Sequence, residues 1–333
     1  MDIPTHALAS LALARGFFPG RRWPIAVGMI FAGTLADVDL VTALFGPAAY
    51  FAGHRTFTHS ILGTIAIVAL TGILTRYLSE KQPESWRVML LAVTCAATLH
   101  LLLDLGQSEG VTLFWPLRHN RFAADWLPTI DPWLLALLIA GILVPELFLL
   151  VTSEIGAKSE SPRGRNGAVI AFVLILIYVG ARAILHSSST ALLEPRTYHG
   201  ESARKVGAFP SALSLVTWHG IVETESLICL LEVPTGLAKS FDPETADCVH
   251  KPESSPELDA AQKTAITQEY LQVARFPRAT LAKRQDGFEV VIRSMVDQAQ
   301  NETRHRVAVM IFLTPQYGVT DQAFVWLNDI HSR

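Results

Sequence analysis

Histidine and aspartate recur at His6, Asp37, Asp39, His54, His59, His100 and Asp104, all before residue 105 and all within or beside strongly apolar segments. These are two residue types that commonly bind catalytic divalent metals. An Asp at the middle of a membrane helix costs about 2.5–3.5 kcal/mol on insertion scales, so each such group calls for a compensating partner. Together they point to a metal site or a proton pathway, because a set of this kind without either leaves a large uncompensated cost. Singly they say less. A lone membrane histidine such as His6 is more often a helix–helix hydrogen-bonding group than a ligand.

Spacing adds geometry. His100 and Asp104, in H-L-L-L-D, are four residues apart and share one helical face. They fit a two-ligand arm, and equally a buried hydrogen-bonded pair. His54 and His59 frame H-R-T-F-T-H, a spacing that puts them on different faces, so one must sit in a loop if both are to converge. Asp37 and Asp39, in A-D-V-D, would lie about 200° apart around an ideal α-helix. Both can point inward only if the helix ends or loosens there, which Gly33 and Gly46-Pro47 permit.

The elements that must position these residues are membrane helices. Of 333 residues, 50% are hydrophobic and 17% charged, and the mean hydropathy is +0.33, too apolar for an ordinary soluble domain. Long apolar runs fill the chain before Ser187 and a normal mixture of charged, Pro and Gly residues follows. The expected fold class is an all-α polytopic membrane bundle of five to six helices over residues 1–186, followed by a smaller soluble α+β domain over 187–333. Phe57–Leu78, Val88–Leu105, Pro132–Val151 and Gly167–His186 are long enough, or nearly so, to cross a core of about 30 Å. Pro24–Phe45, interrupted by Gly33 and the two Asp residues, and the shorter Ile3–Phe18 are expected to pack inside the bundle.

Lys and Arg prefer the cytoplasmic loops. With Ile3–Phe18 counted as a span, one side collects Arg15, Arg21, Arg22, Arg76, Lys81, Arg87, Lys158, Arg163 and Arg165, and the other only Arg55, Arg118 and Arg121. The first set is assigned inside. This leaves the start of the chain, the 46–56 and 106–131 loops and everything after Ser187 outside, and it gathers the His and Asp residues at the outer helix ends. The start of the chain lacks a positive stretch ahead of its apolar run and does not read as a cleavable signal peptide. A net charge of −3 without a Lys/Arg cluster argues against a nucleic-acid partner. Cys95, Cys229 and Cys248 have no C-x-x-C spacing, and a Cys229–Cys248 disulfide requires a domain outside the cytoplasm.

In the soluble part, Ile221–Val233 and Phe288–Val296 are β-rich and Arg306–Leu313 alternates in part. Ser255, followed by Pro256 and Glu257, predicts an N-cap opening a helix to about Phe276, with Leu258, Ala261, Ala265 and Tyr270 at core spacing.

The motifs T-H near the start, G-x-x-A-D-V-D, H-R-T-F-T-H-S and H-L-L-L-D followed by G-V-T-L-F-W-P resemble the membrane-bound metal-dependent hydrolases of the YdjM type, also described as LexA-regulated inner-membrane proteins. The resemblance is strong over about residues 1–150 and weaker through W-H-G-I-V at 218–222 and A-R-F-P at 274–277. It implies a bacterial inner-membrane location and remote similarity to the zinc-dependent phospholipase C and nuclease superfamily. It further implies His6, Asp37, Asp39, His54, His59, His100 and Asp104 as ligands, or their immediate partners, for one to three divalent ions, Zn²⁺ first, with Mn²⁺ or Mg²⁺ as alternatives. Family members usually carry Pro before the first Asp, where this chain has Ala36.

The expected activity is metal-assisted hydrolysis of an ester, with the superfamily favouring a phosphoester of an amphiphilic substrate that reaches the site from the bilayer. Asp37 or Asp39 would orient or deprotonate the water. Arg55 and Thr58 sit where a phosphate or carboxylate oxygen could be held, although Arg55 also fits an interfacial snorkelling residue. Glu109, Trp115, Arg118, His119 and Asp131 are expected to frame a mouth, and Glu146 to snorkel near the inner surface. Two rivals stay open: a metal- or proton-handling transporter, and a catalytically degenerate scaffold of a stress response whose soluble domain does the work. Against the transporter, no paired broken helices or symmetrical halves can be read.

Overall fold

The computed structural model describes residues 1–18, 23–79, 85–154, 164–235, 241–299 and 306–330. They form two compact units, Met1–Asp39 with Arg55–Ala183, and Leu40–His54 with Ile184–Arg333.

The first unit is helical. Helix α1 (Ile3–Phe17) starts on Asp2, whose carboxylate accepts from the Thr5 N–H at 2.9 Å, with Pro4 in the first turn. Helix α2 (Trp23–Thr34) runs directly into a 3-10 helix, Leu35–Phe45. The expected loosening around A-D-V-D is therefore present, and it is reached with Ala36 in place of a proline. After α3 (Pro47–Gly53), α4 (Ile61–Leu78) opens on Ser60, which accepts from the Gly63 N–H at 2.9 Å. That cap is why the expected helix from Phe57 begins four residues later. Helix α5 (Trp86–Leu105) carries His100 and Asp104 in its last turns. Helix α6 (Pro132–Glu154) begins beside Asp131, and α7 (Arg165–Leu193) continues past the expected end at His186.

Close packing depends on small residues. A Cβ on Gly28 would collide with the Thr75 hydroxyl, and one on Gly33 with the Ser10 hydroxyl, so α2 lies tight against both α4 and α1. Among the described residues, five helical segments are long and apolar enough to cross a membrane: Trp23–Phe45, Ile61–Leu78, Trp86–Leu105, Pro132–Leu150 and Arg165–Leu193. Helix α1, with 15 residues, rises about 22 Å. Its Arg15 reaches Glu146 at 3.3 Å, which gives the expected snorkelling carboxylate an ion-pair partner. Among the charges used for orientation, Arg21, Arg22, Lys81, Lys158 and Arg163 lie outside the described residues.

In the second unit a short ribbon, β1 (Thr197–Tyr198) with β2 (Glu201–Ser202), precedes two four-stranded antiparallel meanders. The first is β3 (Lys205–Pro210), β4 (Thr217–Glu223), β5 (Leu227–Pro234) and β6 (Asp247–His250) in chain order. Cys229 and Cys248 face each other across β5 and β6 and form a disulfide. The second contains β7 (Pro277–Arg284), β8 (Gly287–Ser294), β9 (Val307–Leu313) and β10 (Val319–Trp326). Short helices α10 (Val296–Ala299) and α11 (Leu327–Ile330) follow β8 and β10.

The helix expected from Ser255 to about Phe276 is two helices, α8 (Pro256–Gln262) and α9 (Ala265–Leu271). Ser255 caps the first as expected, but Thr264 caps a second start by accepting from the Thr267 N–H. The restart changes the phase, so Leu258, Ala261 and Tyr270 are buried whereas Ala265 is exposed. Helix α3 belongs to this unit, with Phe51 stacked on Phe324 at 4.5 Å.

Candidate metal centre

The 3-10 geometry brings A-D-V-D to order. With three residues per turn instead of 3.6, residues two apart lie about 120° apart instead of about 160°, so both carboxylates turn inward while Val38 points out. Helix α5 supplies His100 and Asp104 from one face, α1 supplies His6, and the turn before α4 supplies His59.

One ligand atom from each of His6, Asp37, His100 and Asp104 lies within 4.8 Å of every other, and all four residues are buried. His6 Nε2 is 3.1 Å from Asp104 Oδ1. His100 donates from Nδ1 to the Gly33 carbonyl at 2.8 Å, which fixes its tautomer and turns the Nε2 lone pair towards the cluster. His59 Nε2 lies 3.2 Å from that atom, 2.9 Å from Asp104 Oδ2 and 3.7 Å from Asp37 Oδ1. On its other side, His59 Nδ1 is 3.0 Å from Asp39 Oδ2. Lone pairs of imidazole and carboxylate this close repel unless a positive charge sits among them.

Two buried atoms sharpen the point. His6 Nδ1 and Asp37 Oδ2 have no hydrogen-bond partner, and leaving such atoms bare costs about 1–3 kcal/mol each. A donor set of imidazole nitrogens and carboxylate oxygens suits Zn²⁺ and similar divalent ions, so the residues present fit a metal.

Asp39 stands one layer out. Its Oδ2 accepts from the Arg55 backbone N–H at 2.9 Å and the Thr58 hydroxyl at 2.5 Å, beside His59 Nδ1. This is the carboxylate–histidine arrangement that orients metal-binding imidazoles. Arg55 holds its backbone in the left-handed region, with φ at 58°, which directs its N–H to Asp39. Its buried guanidinium donates to Gln107 Oε1 at 2.7 Å, pairs with Glu109 at 3.0 Å and lies 3.7 Å from Asp104 Oδ1. Arg55 is therefore an interior residue and does not snorkel.

Comparison with known proteins bears on this layout. The profile of the YdjM inner membrane protein family matches residues 1–188. The chain belongs to the YdjM family. Inner membrane protein YdjM of Escherichia coli (strain K12) and the protein of the same name from Shigella flexneri are each 34% identical to it over 110 residues. The match covers 30% of this chain and 53% of the relative, so the chain spans about half the length of the curated relatives it matches. No solved structure matches. With its apolar helices, the chain is an inner-membrane protein of the YdjM family.

Every residue of the cluster lies inside the family match. His54 does not join the four-residue group: it caps α3, and its ring stacks on Tyr50 at 4.6 Å. Of the expected mouth, Glu109 reaches Arg55, while Arg118 and His119 lie on an exposed stretch. Asp131 is buried and accepts from the N–H groups of Trp133 and Leu134. Gln107 is the residue that the sequence reading missed. It is fully buried, accepts from Arg55 and from the Met1 nitrogen at 2.9 Å, and donates to the Thr129 carbonyl at 3.1 Å. The Met1 nitrogen also contacts Asp104. The available signal was a polar residue directly after the H-L-L-L-D-L-G helix end.

Proposed function

We propose that this inner-membrane protein is a metal-dependent hydrolase whose substrate is an ester, most fittingly a phosphoester, with an apolar tail. The observation that carries the reading is the convergence of His6, Asp37, His100 and Asp104 within 4.8 Å, with His6 Nδ1 and Asp37 Oδ2 lacking partners. These four residues, joined by His59, would hold the cation. A divalent ion held there supplies Lewis acidity, acidifying a water and polarising an ester oxygen. His59 Nε2 faces the same space, 3.2 Å from His100 Nε2 and 2.9 Å from Asp104 Oδ2, and would complete the donor set. Asp39 and Thr58 act through His59 by fixing its ring. Arg55 holds the turn around Gln107 and Glu109 against the cluster and so acts as a positioning residue. The apolar helices around the site suit an acyl or isoprenoid chain lying in the bilayer while its polar head reaches the ions.

The C-terminal unit is assigned to the extracytoplasmic side. What supports this is the Lys/Arg asymmetry of the loops and the Cys229–Cys248 disulfide, a bond that persists in oxidising compartments. A reporter fused after Arg333 should be active only outside the cytoplasm, and activity inside would reverse the assignment.

The activity test uses purified protein with phospholipid and polyprenyl-phosphate substrates, with and without chelator. Chelator-sensitive product formation, lost in Asp37→Asn, is the expected result. Metal-dependent uptake into proteoliposomes without product would sink the hydrolase reading in favour of a transporter.

A further inference from the structure

The loop between β3 and β4 has a composition out of keeping with a soluble domain. From Val206 to Trp218 the chain reads V-G-A-F-P-S-A-L-S-L-V-T-W, without an ionisable side chain. Its apolar residues are not all turned into the sheet: Leu213 is 79% exposed, Leu215 39% and Val216 49%. The loop is nonetheless ordered. Ser214 Oγ donates to the Thr217 hydroxyl at 2.9 Å and accepts from the Thr217 N–H at 3.0 Å. The Val216 carbonyl accepts from the Thr235 N–H at 2.7 Å and from the Thr235 hydroxyl at 2.8 Å. The polar groups of the loop thus turn inward, and the leucines turn out.

The end of α7 gives this loop a direction. Within the second unit, the last turns of α7 pack on the first meander: the ring of Trp218 lies 5.6 Å from that of His186, and Gly220 meets Leu193. Passing along β4 from Trp218 to Gly220 therefore follows α7 from His186 towards its end at Leu193. The reverse direction, from Trp218 back through Thr217 to the loop, leads down α7 towards its membrane-crossing stretch. Two strand residues span about 6.6 Å and a helix residue rises about 1.5 Å, so Val216 reaches at least the level of Ile184, where α7 enters this unit. Ile184, at that level of the helix, is 70% exposed, as a lipid-facing residue would be.

We propose that the Ser211–Val216 loop dips into the lipid surface beside α7, with Leu213, Leu215 and Val216 as its inserted side chains. The occupant of this apolar patch is the boundary between headgroups and acyl chains, the layer in which leucine-rich faces of interfacial segments reside. The C-terminal unit is then held to the bilayer at two places, by its covalent link to α7 and by this loop. The inference needs neither the metal site nor a particular orientation across the membrane.

The test uses the full chain in lipid nanodiscs, with Cys95→Ala to leave the Cys229–Cys248 disulfide as the only other cysteines. An environment-sensitive NBD label is attached at Leu213→Cys and, separately, at Val216→Cys. The same label at Glu225→Cys, in the turn at the far end of β4, is the aqueous reference. The first two labels should emit at shorter wavelength than the reference and be quenched several-fold more strongly by lipids carrying a nitroxide at a shallow acyl carbon. Labels at both positions that behave like the Glu225→Cys reference would overturn the proposal. So would a blue shift without nitroxide quenching, which would mean burial against protein, including a second copy of this chain.

Discussion

Two groups of polar side chains buried in the helical unit differ in charge balance. In the first, Asp37, Asp39 and Asp104 surround His6, His59 and His100, with the Arg55 guanidinium and the Met1 nitrogen as the cations beside Asp104. In the second, Asp131 accepts from the first N–H groups of α6 and from the Tyr178 hydroxyl at 2.7 Å, while Arg182 donates to the Trp126 carbonyl at 3.1 Å. There one acid and one guanidinium balance, and the carboxylate completes a helix cap. The first group crowds imidazole nitrogens and carboxylate oxygens together and leaves His6 Nδ1 and Asp37 Oδ2 without a hydrogen-bond partner. Burial of ionisable groups alone therefore does not mark a site. A candidate site is distinguished by ring nitrogens and carboxylate oxygens that converge on one point, where an added positive charge would offset their mutual repulsion.

The comparison can be broken by substitution. Removing a ligand atom with His100→Ala or Asp104→Ala should lower divalent-metal affinity by more than about 100-fold, above the usual range for an outer partner. Competition with a chelating dye reads this directly, and unchanged affinity in both variants would remove the distinction between the two groups. Asp39→Asn keeps the shape beside His59 but weakens the carboxylate–imidazole contact, so affinity should fall by about 10–100-fold. A wild-type value would take Asp39 out of the support for the site. Asp131→Ala is the contrasting case. It should leave metal affinity unchanged while the lost cap destabilises the protein by about 1 kcal/mol, seen as a lower melting temperature in detergent.

Much of this layout was legible wherever the information is local. The four-residue spacing of His100 and Asp104 already puts both on one face of α5, and Gly33 with Gly46-Pro47 already permits the loosening that turns Asp37 and Asp39 inward. The fold class, a helical membrane part followed by a smaller α+β domain, was legible from the contrast in apolar runs. The spacing of His54 and His59 shows that a loop must intervene if both converge, but not which histidine the fold keeps. That choice depends on Tyr50, which stacks on His54, and on Asp39, which holds His59. Gln107 was illegible for a similar reason, since its partners, Arg55 and Thr129, are remote in sequence. The grouping of Leu40–His54 with the C-terminal unit likewise rests on Phe324 and Trp326, far along the chain. In α8 and α9, helical periodicity hid the break because Thr264 competes as a second cap.

Metal analysis of the full chain, purified in detergent and offered Zn²⁺, Mn²⁺ or Mg²⁺, tests the central claim most directly when paired with X-ray absorption at the edge of any Zn or Mn retained. The account predicts a stoichiometric divalent ion in a shell of nitrogen and oxygen donors with an imidazole signature, absent from His100→Ala protein that still inserts into the membrane. Wild-type protein that stays substoichiometric with all three ions, or a His100→Ala variant that keeps the same metal and the same spectrum, would contradict it.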